Sequence, residues 1–418
     1  MIKFEKYTLP NGLRVIVHQD NSTPQIAMNI LYDVGARDEN PEKTGFAHLF
    51  EHLMFGGSIN IPSYDEVLQR AGGDNNAFTN NDITNYYLTL PSINKETAFW
   101  LESDRMLSLA FSEKSLEVQR SVVIEEYKQR YLNQPYGDIW LLLRPLAFKV
   151  HPYRWPTIGK EISHIENAKM EDVKSFFHTH YKPNNAILVL TGNIELNEAK
   201  QLTEKWFGPI EKGEIKKRNL PQEPIQTEKR TLTVKRNVPY DTIYKTYHIC
   251  KRTHPDYYGI DLLSDILGRG TSARLHKELI KKKNLFSDIN CFVSGEIDEG
   301  LFVISGRVLK GISMQDAEAA IDTEIEKLKT ETIEKDELQK VKNKAESTFE
   351  FSEMSILNKA MNLAYFELLG DADMLNHENE KYQVVTAEQM QTLAKKTFVE
   401  TNSTVLYYLA ENSSKFNV

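Results

Sequence analysis

The sequence predicts an α+β protein of two similarly folded domains, each a mainly antiparallel sheet with helices packed on it. Segments in which apolar and polar residues alternate, as in strands, stand among longer segments with helical periodicity. Their order over residues 7–207 recurs over residues 231–409, and a polar stretch containing prolines separates the two. We therefore expect an N-terminal domain over residues 1–210, a linker over 211–230 and a C-terminal domain over 231–418.

Composition limits the class of protein. The chain has 418 residues, of which 40% are hydrophobic and 26% charged, as is usual for soluble globular proteins. A formal net charge of −8 disfavours a dedicated nucleic-acid-binding protein. No apolar segment reaches the roughly 18 residues of a membrane helix, and no signal peptide is predicted. We expect a cytoplasmic protein, or a periplasmic one if residues precede Met1, with Cys250 and Cys291 as reduced thiols.

The N-terminal half begins with strands. Residues 7–17 are a predicted hairpin that turns at Pro10-Asn11-Gly12, and residues 26–34 alternate like a strand with one buried face. Residues 71–79 and 84–90 are two further predicted strands. The rest of this half contains a predicted strand at 186–192 and predicted helices at about 63–71, 94–110, 113–133, 136–150, 168–180 and 196–207.

The C-terminal half repeats the pattern. Residues 243–249 alternate in the same way, residues 288–293 and 301–308 are a predicted hairpin, and residues 405–409 are the last predicted strand. Its predicted helices lie at about 257–267, 272–282, 314–330, 335–352, 354–367 and 387–398.

The predicted helix over residues 44–57 carries the chemistry. Thr44 is its predicted N-cap, Gly56-Gly57 follows its end, and its apolar face consists of Phe46, Leu49, Phe50 and Leu53. His48, Glu51 and His52 share another face, although burying such groups without partners is unfavourable. A divalent metal would resolve this, because imidazoles at i and i+4 can bind one ion.

His48, Glu51 and His52 stand in the H-x-x-E-H order of the inverted zincin motif. The alternative interpretation is two surface histidines near a glutamate. The matching segment of the C-terminal half, Asp261 to Gly270, contains no histidine, so only the N-terminal half is expected to bind metal. A catalytic zinc usually has three protein ligands, and the helix at 113–133 offers Glu125 or Glu126 as the third. Helical geometry favours Glu126, because Val122 and Val123 place it at the edge of the buried face.

The motif together with Glu126 resembles the M16 (pitrilysin-type) metallopeptidases, and the likeness extends over nearly the whole chain. The length and the two domains resemble the short branch of the family, which includes the subunits of mitochondrial processing peptidase. Further matching segments are Gly72-Gly73, Asn76-Ala77, Thr79, Thr84, Tyr86, Val122 to Glu126, His151-Pro152-Tyr153, Gly159, Leu190 to Ile194, Leu267-Gly268, Ser272 and Arg274-Leu275.

The resemblance implies a zinc-dependent endopeptidase. One Zn²⁺ per chain would be bound by His48, His52 and Glu126, and Glu51 would be the general base that takes a proton from the zinc-bound water. Such a chain forms half of a clamshell around an enclosed chamber that admits unfolded peptides. The peptide would add as a strand to an edge formed by Asn76, Ala77, Phe78 and Thr79. A plain hairpin is the simpler interpretation of that edge.

Two departures from the family pattern bear on activity. Gln119 stands where the family usually has a second glutamate, seven residues before Glu126, and second-shell groups tune a metal. Ile280 and Ser287 stand where active members carry an arginine and a tyrosine that bind substrate and stabilise the oxyanion. We therefore expect a heterodimer with a homologous partner that carries this pair, and a homodimer is the alternative. A non-catalytic interaction or regulatory subunit is the alternative function.

Overall fold

The computed structural model of the protein describes residues 1–215 and 218–411. The strands are β1 (Glu5–Thr8), β2 (Arg14–Gln19), β3 (Gln25–Tyr32), β4 (Asp74–Thr79), β5 (Thr84–Pro91), β6 (Ala186–Gly192), β7 (Arg230–Arg236), β8 (Thr242–Lys251), β9 (Phe286–Val293), β10 (Glu299–Val308) and β11 (Ser403–Ala410). The helices are α1 (Phe46–Leu53), α2 (Tyr64–Arg70), α3 (Lys95–Leu107), α4 (Glu113–Tyr127), α5 (Ile139–Ala147), α6 (Ile162–Glu166), α7 (Met170–His180), α8 (Leu196–Phe207), α9 (Asp256–Gly268), α10 (Met314–Thr330), α11 (Lys335–Ser352), α12 (Ile356–Leu369), α13 (Glu378–Gln383) and α14 (Ala387–Thr397). The segments Lys128–Leu132 and His276–Lys282 have π-helical hydrogen bonding.

The chain divides into two compact units that differ from the predicted domains in two segments. The first unit contains residues 1–130, 155–221 and 350–377, and the second contains the intervening segments and the chain from Glu378. Helix α12 thus belongs to the first unit, where it packs on β3 and β6, and α5 belongs to the second. Periodicity identifies each as a helix but does not tell which sheet it covers.

The first unit is built on a six-stranded sheet in the order β1-β2-β6-β3-β5-β4. Its pairs are antiparallel except β2 with β6, where Arg14 lies opposite Ile187. The central strands are apolar runs buried on both faces, as expected where helices cover both sides of a sheet. Strand β4 is the last in the order, and its residues alternate between exposed and half-buried. The predicted strands of this half are confirmed.

The second unit is built on a five-stranded sheet in the order β7-β11-β8-β10-β9. Strand β11 pairs in parallel with β7 and antiparallel with β8, so the expected mainly antiparallel α+β fold is confirmed for both sheets. Its core joins the sheet to α9, α10 and α14. The sequence analysis missed β7, an edge strand with no fully buried residue, although Leu232 and Val234 alternate with exposed neighbours.

The predicted linker is bound to the units over much of its length. Arg218 forms ion pairs with Asp33 and Asp38 in the first unit, at 3.0 and 2.6 Å. Glu223 accepts hydrogen bonds from the backbone of residues 149–151 in the second unit. Linker residues 216–217, and residues 412–418 of the predicted C-terminal domain, lie outside the described residues. No helix in the described ranges is long and apolar enough to cross a membrane.

Candidate metal site

Helix α1 is oriented by its apolar face. Phe46, Leu49 and Phe50 are each at most 4% exposed. The ring of Phe50 lies 5.2 Å from that of Phe176 on α7 and 4.9 Å from that of Tyr181 just after it, measured between centroids. The apolar side of α1 therefore packs against α7, and the side that carries His48, Glu51 and His52 faces away from α7.

The predicted N-cap of α1 is wrong. The N-cap residue is Gly45, in the left-handed region at φ 88°, and it has no side chain to accept a hydrogen bond. The left-handed turn directs Thr44 elsewhere, and its hydroxyl lies 2.8 Å from Nδ1 of His164 and accepts a bond from the backbone of Lys160. The carboxyl group of Glu39 caps the helix instead, accepting hydrogen bonds from the backbone N–H groups of Gly45 at 3.0 Å and Ala47 at 2.8 Å.

His48, His52 and Glu126 come together. The Nε2 atoms of His48 and His52 lie 3.7 and 3.6 Å from the same oxygen, Oε2 of Glu126. Two ligands at about 2.1 Å from a tetrahedral zinc ion are roughly 3.4 Å apart, so these spacings leave room for the ion between them. Across the described residues, this is the one group of three histidine, cysteine or acidic side chains that meets metal-binding spacing.

The protonation states suit a cation. Burial and the neighbouring His52 lower the pKa of His48 to about 4, which keeps the imidazole neutral and available as a ligand near pH 7. Hydrogen bonding by His52 lowers the pKa of Glu126, so this carboxyl is ionised. Two imidazoles and one carboxylate form a donor set that zinc accepts in catalytic sites, and the residues therefore fit the ion.

The structure also separates the two candidate glutamates on α4. Glu125 is exposed and pairs with Lys128 at 2.7 Å, whereas Glu126 faces the histidines. The second oxygen of Glu126, Oε1, lies 2.9 Å from Nη1 of Arg130. The sequence analysis did not single out Arg130, although its position four residues after Glu126 was a sufficient signal.

Glu51 lies between the histidines and the edge strand. Burial raises the pKa of Glu51, and hydrogen bonding by the side chain and backbone of Thr79 opposes that rise. Thr79 is the last residue of β4, and Phe78 beside it is 37% exposed. The predicted edge residues Asn76, Ala77, Phe78 and Thr79 thus run along the outer strand of the sheet towards Glu51. Ala77 and Thr79 are half-buried, while Asn76 and Phe78 are exposed.

The residues at the two departures from the family pattern have the following surroundings. Gln119 is half-buried on α4, and nearby Glu117 is ion-paired with Arg120. In the second unit, Ile280 packs against the hydrophobic core. The Ser287 hydroxyl donates a long bond of 3.4 Å to the backbone of Arg307.

The chain resembles proteins of one family along its whole length. The family model described as insulinase (peptidase family M16) matches residues 14–136, and the model described as peptidase M16 inactive domain matches residues 167–345. The zinc protease PqqE of Helicobacter pylori is 30% identical over 411 residues, covering 97% of this chain and 92% of that protein. The zinc protease YmxG of Bacillus subtilis is 27% identical over 404 residues, covering 96% of each.

Solved structures agree with the sequence relatives. The crystal structure of a protease from Helicobacter pylori superposes with a TM-score of 0.92 at 30% identity, covering 98% of this chain and 100% of that one. The similarity covers both units, so it is not limited to the unit that contains the candidate metal site. The chain is therefore a member of peptidase family M16, and the relatives it matches are named zinc proteases.

Proposed function

We propose that this protein is a zinc-dependent endopeptidase that hydrolyses unfolded peptides in an enclosed chamber, as the metal-bearing subunit of a dimer. One observation carries the proposal: His48, His52 and Glu126 converge on one point, and Glu51 on the same helix reaches the end of an edge strand. A metal site alone is common to many functions, but a base and a strand-binding edge beside it suit peptide hydrolysis.

The edge strand suits extended peptide backbone. A peptide added beside β4 would form main-chain hydrogen bonds, which do not depend on sequence, while exposed side chains such as Asn76 and Phe78 would contact its residues. Most backbone of a folded protein is already paired within its own helices and sheets and cannot add to this edge. Unfolded peptides are therefore the substrate class that this edge strand favours.

Glu51 would move the protons of the reaction. When bound, zinc would polarise the scissile carbonyl and lower the pKa of water. Glu51 would accept a proton from the attacking water as its oxygen bonds to the carbonyl carbon. It would then deliver that proton to the amide nitrogen as the C–N bond breaks. Because burial raises the pKa of Glu51, its carboxylate is a stronger base than an exposed one.

The proposal is tested by a conservative change at the base. Glu51→Gln keeps the shape of the side chain but cannot accept the proton, so we expect kcat on a fluorogenic unfolded peptide to fall about 10²- to 10⁴-fold. Zinc content, measured by atomic emission, should stay unchanged. Glu125→Gln is the matched control, because this exposed glutamate lies next to Glu126 but pairs with Lys128, and it should leave kcat unchanged.

A second candidate is a non-catalytic interaction subunit, and the presence of Ile280 and Ser287 in place of the family's arginine and tyrosine favours it. It predicts a chain that binds zinc and a partner but cleaves no peptide in the assembled state. Turnover that disappears in Glu51→Gln would exclude it, whereas activity retained in Glu51→Gln would show that another group is the base.

A further inference from the structure

The metal helix lacks the usual means of fixing its first turn. Helix α1 has eight residues, and helices this short are marginal without external support. Its N-cap residue, Gly45, offers no capping side chain, and no side-chain cap bond occurs there in the described part of the chain. A side chain cannot simply be added, because a Cβ on Gly45 would lie 2.7 Å from the carbonyl oxygen of Ile158.

The carboxyl group of Glu39, in the preceding loop, caps the helix in its place. Oε2 accepts from the N–H of Gly45 at 3.0 Å and Oε1 from the N–H of Ala47 at 2.8 Å, so each oxygen binds one free donor of the helix. The residue is only 6% exposed, and burying a carboxyl is costly unless its hydrogen bonds are made. Burial raises the pKa of Glu39 to about 8, against the opposing effect of the bonds from Ala47 and Gly45.

The two bonds are placed where they affect the metal ligands. Ala47 immediately precedes His48, and His52 follows one helical turn later on the same face. The third ligand, Glu126, is on a different helix, so the distances of 3.7 and 3.6 Å depend on how α1 is rotated and translated. Apolar contacts with α7 hold one side of α1, but they allow sliding along the helix axis more readily than two directional hydrogen bonds do.

We propose that Glu39 is a positioning residue for the metal site: its buried carboxyl group holds the first turn of α1 and thereby sets His48 and His52 opposite Glu126. The inference rests on the proposed zinc function for its metal readout, but the ordering of α1 can be measured without metal. Glu39 is bonded to the first turn of α1 and to the side chain of Trp155, and none of its bonds within the described residues goes to His48, His52 or Glu126, so it is argued to affect the metal ligands through the helix.

The test compares two buried carboxyl groups with similar bonding. Glu39→Gln keeps one acceptor oxygen, and its NH₂ group must face one of the two N–H donors. Glu223→Gln is the matched control, because the Glu223 side chain is 4% exposed and accepts bonds from the backbone N–H groups of residues 149, 150 and 151 in the second unit. Both changes are expected to lower the melting temperature, so folding alone does not distinguish them.

Measurements of metal binding and of helix ordering distinguish Glu39→Gln from Glu223→Gln. We expect Glu39→Gln to weaken Zn²⁺ affinity about tenfold and to alter the visible absorption of the Co²⁺-substituted protein. In the metal-free protein, the amides of Leu49 and Phe50 should exchange with solvent faster. Glu223→Gln should leave all three readouts as in the unchanged chain. Glu39→Asp, which keeps both oxygens on a shorter side chain, replaces Glu39→Gln in each comparison if the latter does not fold.

The outcomes separate the inference from the proposed function. Unchanged Zn²⁺ affinity, Co²⁺ spectrum and amide exchange in Glu39→Gln would overturn the positioning role while leaving the metal site intact. A wild-type chain that binds no Zn²⁺ would overturn the proposed function. Faster exchange of the α1 amides in Glu39→Gln would, even then, support the role of Glu39 in holding the helix.

Discussion

Glu318 on α10 is expected to stabilise the second unit in a pH-dependent way. Its carboxylate accepts hydrogen bonds from Lys229 and Lys245, both at 2.8 Å, and from the hydroxyl of Tyr407. Burial alone would raise the pKa of Glu318, but these three donors lower it to about 2 from the usual 4.5. Lys245 lies on β8 and Tyr407 on β11, while Lys229 immediately precedes β7, so this one carboxylate connects α10 to three neighbouring segments of the sheet.

The sign and size of this pH-dependent stabilisation follow from the linkage between proton binding and folding. A carboxyl group whose pKa is lower in the folded state adds stability above the unfolded pKa, and that stability is lost as the pH falls towards the folded pKa. A shift of this size corresponds to about 3 kcal/mol before solvent screening, which reduces the expected contribution to about 2 kcal/mol. The window of loss therefore runs from about pH 4.5 down to about pH 2.

Glu318→Gln tests this reasoning. The free energy of unfolding, from urea denaturation followed by circular dichroism, should fall by about 2 kcal/mol or more at pH 7. The difference from the wild-type chain should shrink to under about 1 kcal/mol at pH 3. Glu326→Gln on the same helix is the control, because this exposed glutamate pairs with the surface residue Lys329 and should matter by less than about 0.5 kcal/mol. A Glu318→Gln deficit that is the same at pH 7 and pH 3 would refute the argument.

Two further predictions concern the metal. His52→Ala removes one of three ligands, so metal content should drop from about one equivalent per chain to well below it. Full occupancy in this variant would exclude the assignment. Gln119→Glu adds a carboxylate on the α4 face that carries Glu126, and we expect it to raise Zn²⁺ affinity about 10-fold in a chelator competition. Glu117→Gln is its control, and equal affinities in both variants would contradict a supporting role at position 119.

Local pattern predicted the parts of the site that depend on one helix. The apolar spacing of Phe46, Leu49 and Phe50 predicted which side of α1 is buried, and therefore that His48 and His52 share another side. The same reasoning about buried and exposed sides favoured Glu126 over Glu125, and the structure places Glu126 at the histidines. This prediction works because residues three or four apart lie on the same face of any helix, whatever the rest of the fold.

Interactions between distant segments could not be read in this way. Thr44 has the right residue type for an N-cap, but the left-handed backbone at Gly45 and the bonds to His164 give it another role. Glu39 is six residues from the donor it binds at Gly45, across an irregular loop with no periodicity. The placement of α12 on the first sheet likewise depends on which apolar surface is left uncovered, a property of the assembled unit.

The last prediction is that full activity requires a second, homologous chain. Peptide hydrolysis places negative charge on the former carbonyl oxygen, and losing one donor to that charge typically costs about 10²- to 10³-fold in rate. Ile280 is apolar and packs on the core, and Ser287 offers one short hydroxyl directed at the backbone of Arg307, so neither supplies an arginine or tyrosine donor. A second copy of this chain would lack the same donors. We therefore expect a homologue with arginine and tyrosine at these positions to form a one-to-one complex by analytical ultracentrifugation and to raise kcat at least about 10²-fold. Replacing that arginine by alanine should remove most of the gain. A chain that is fully active alone, and unchanged by the partner, would show that the zinc site needs no donors in trans.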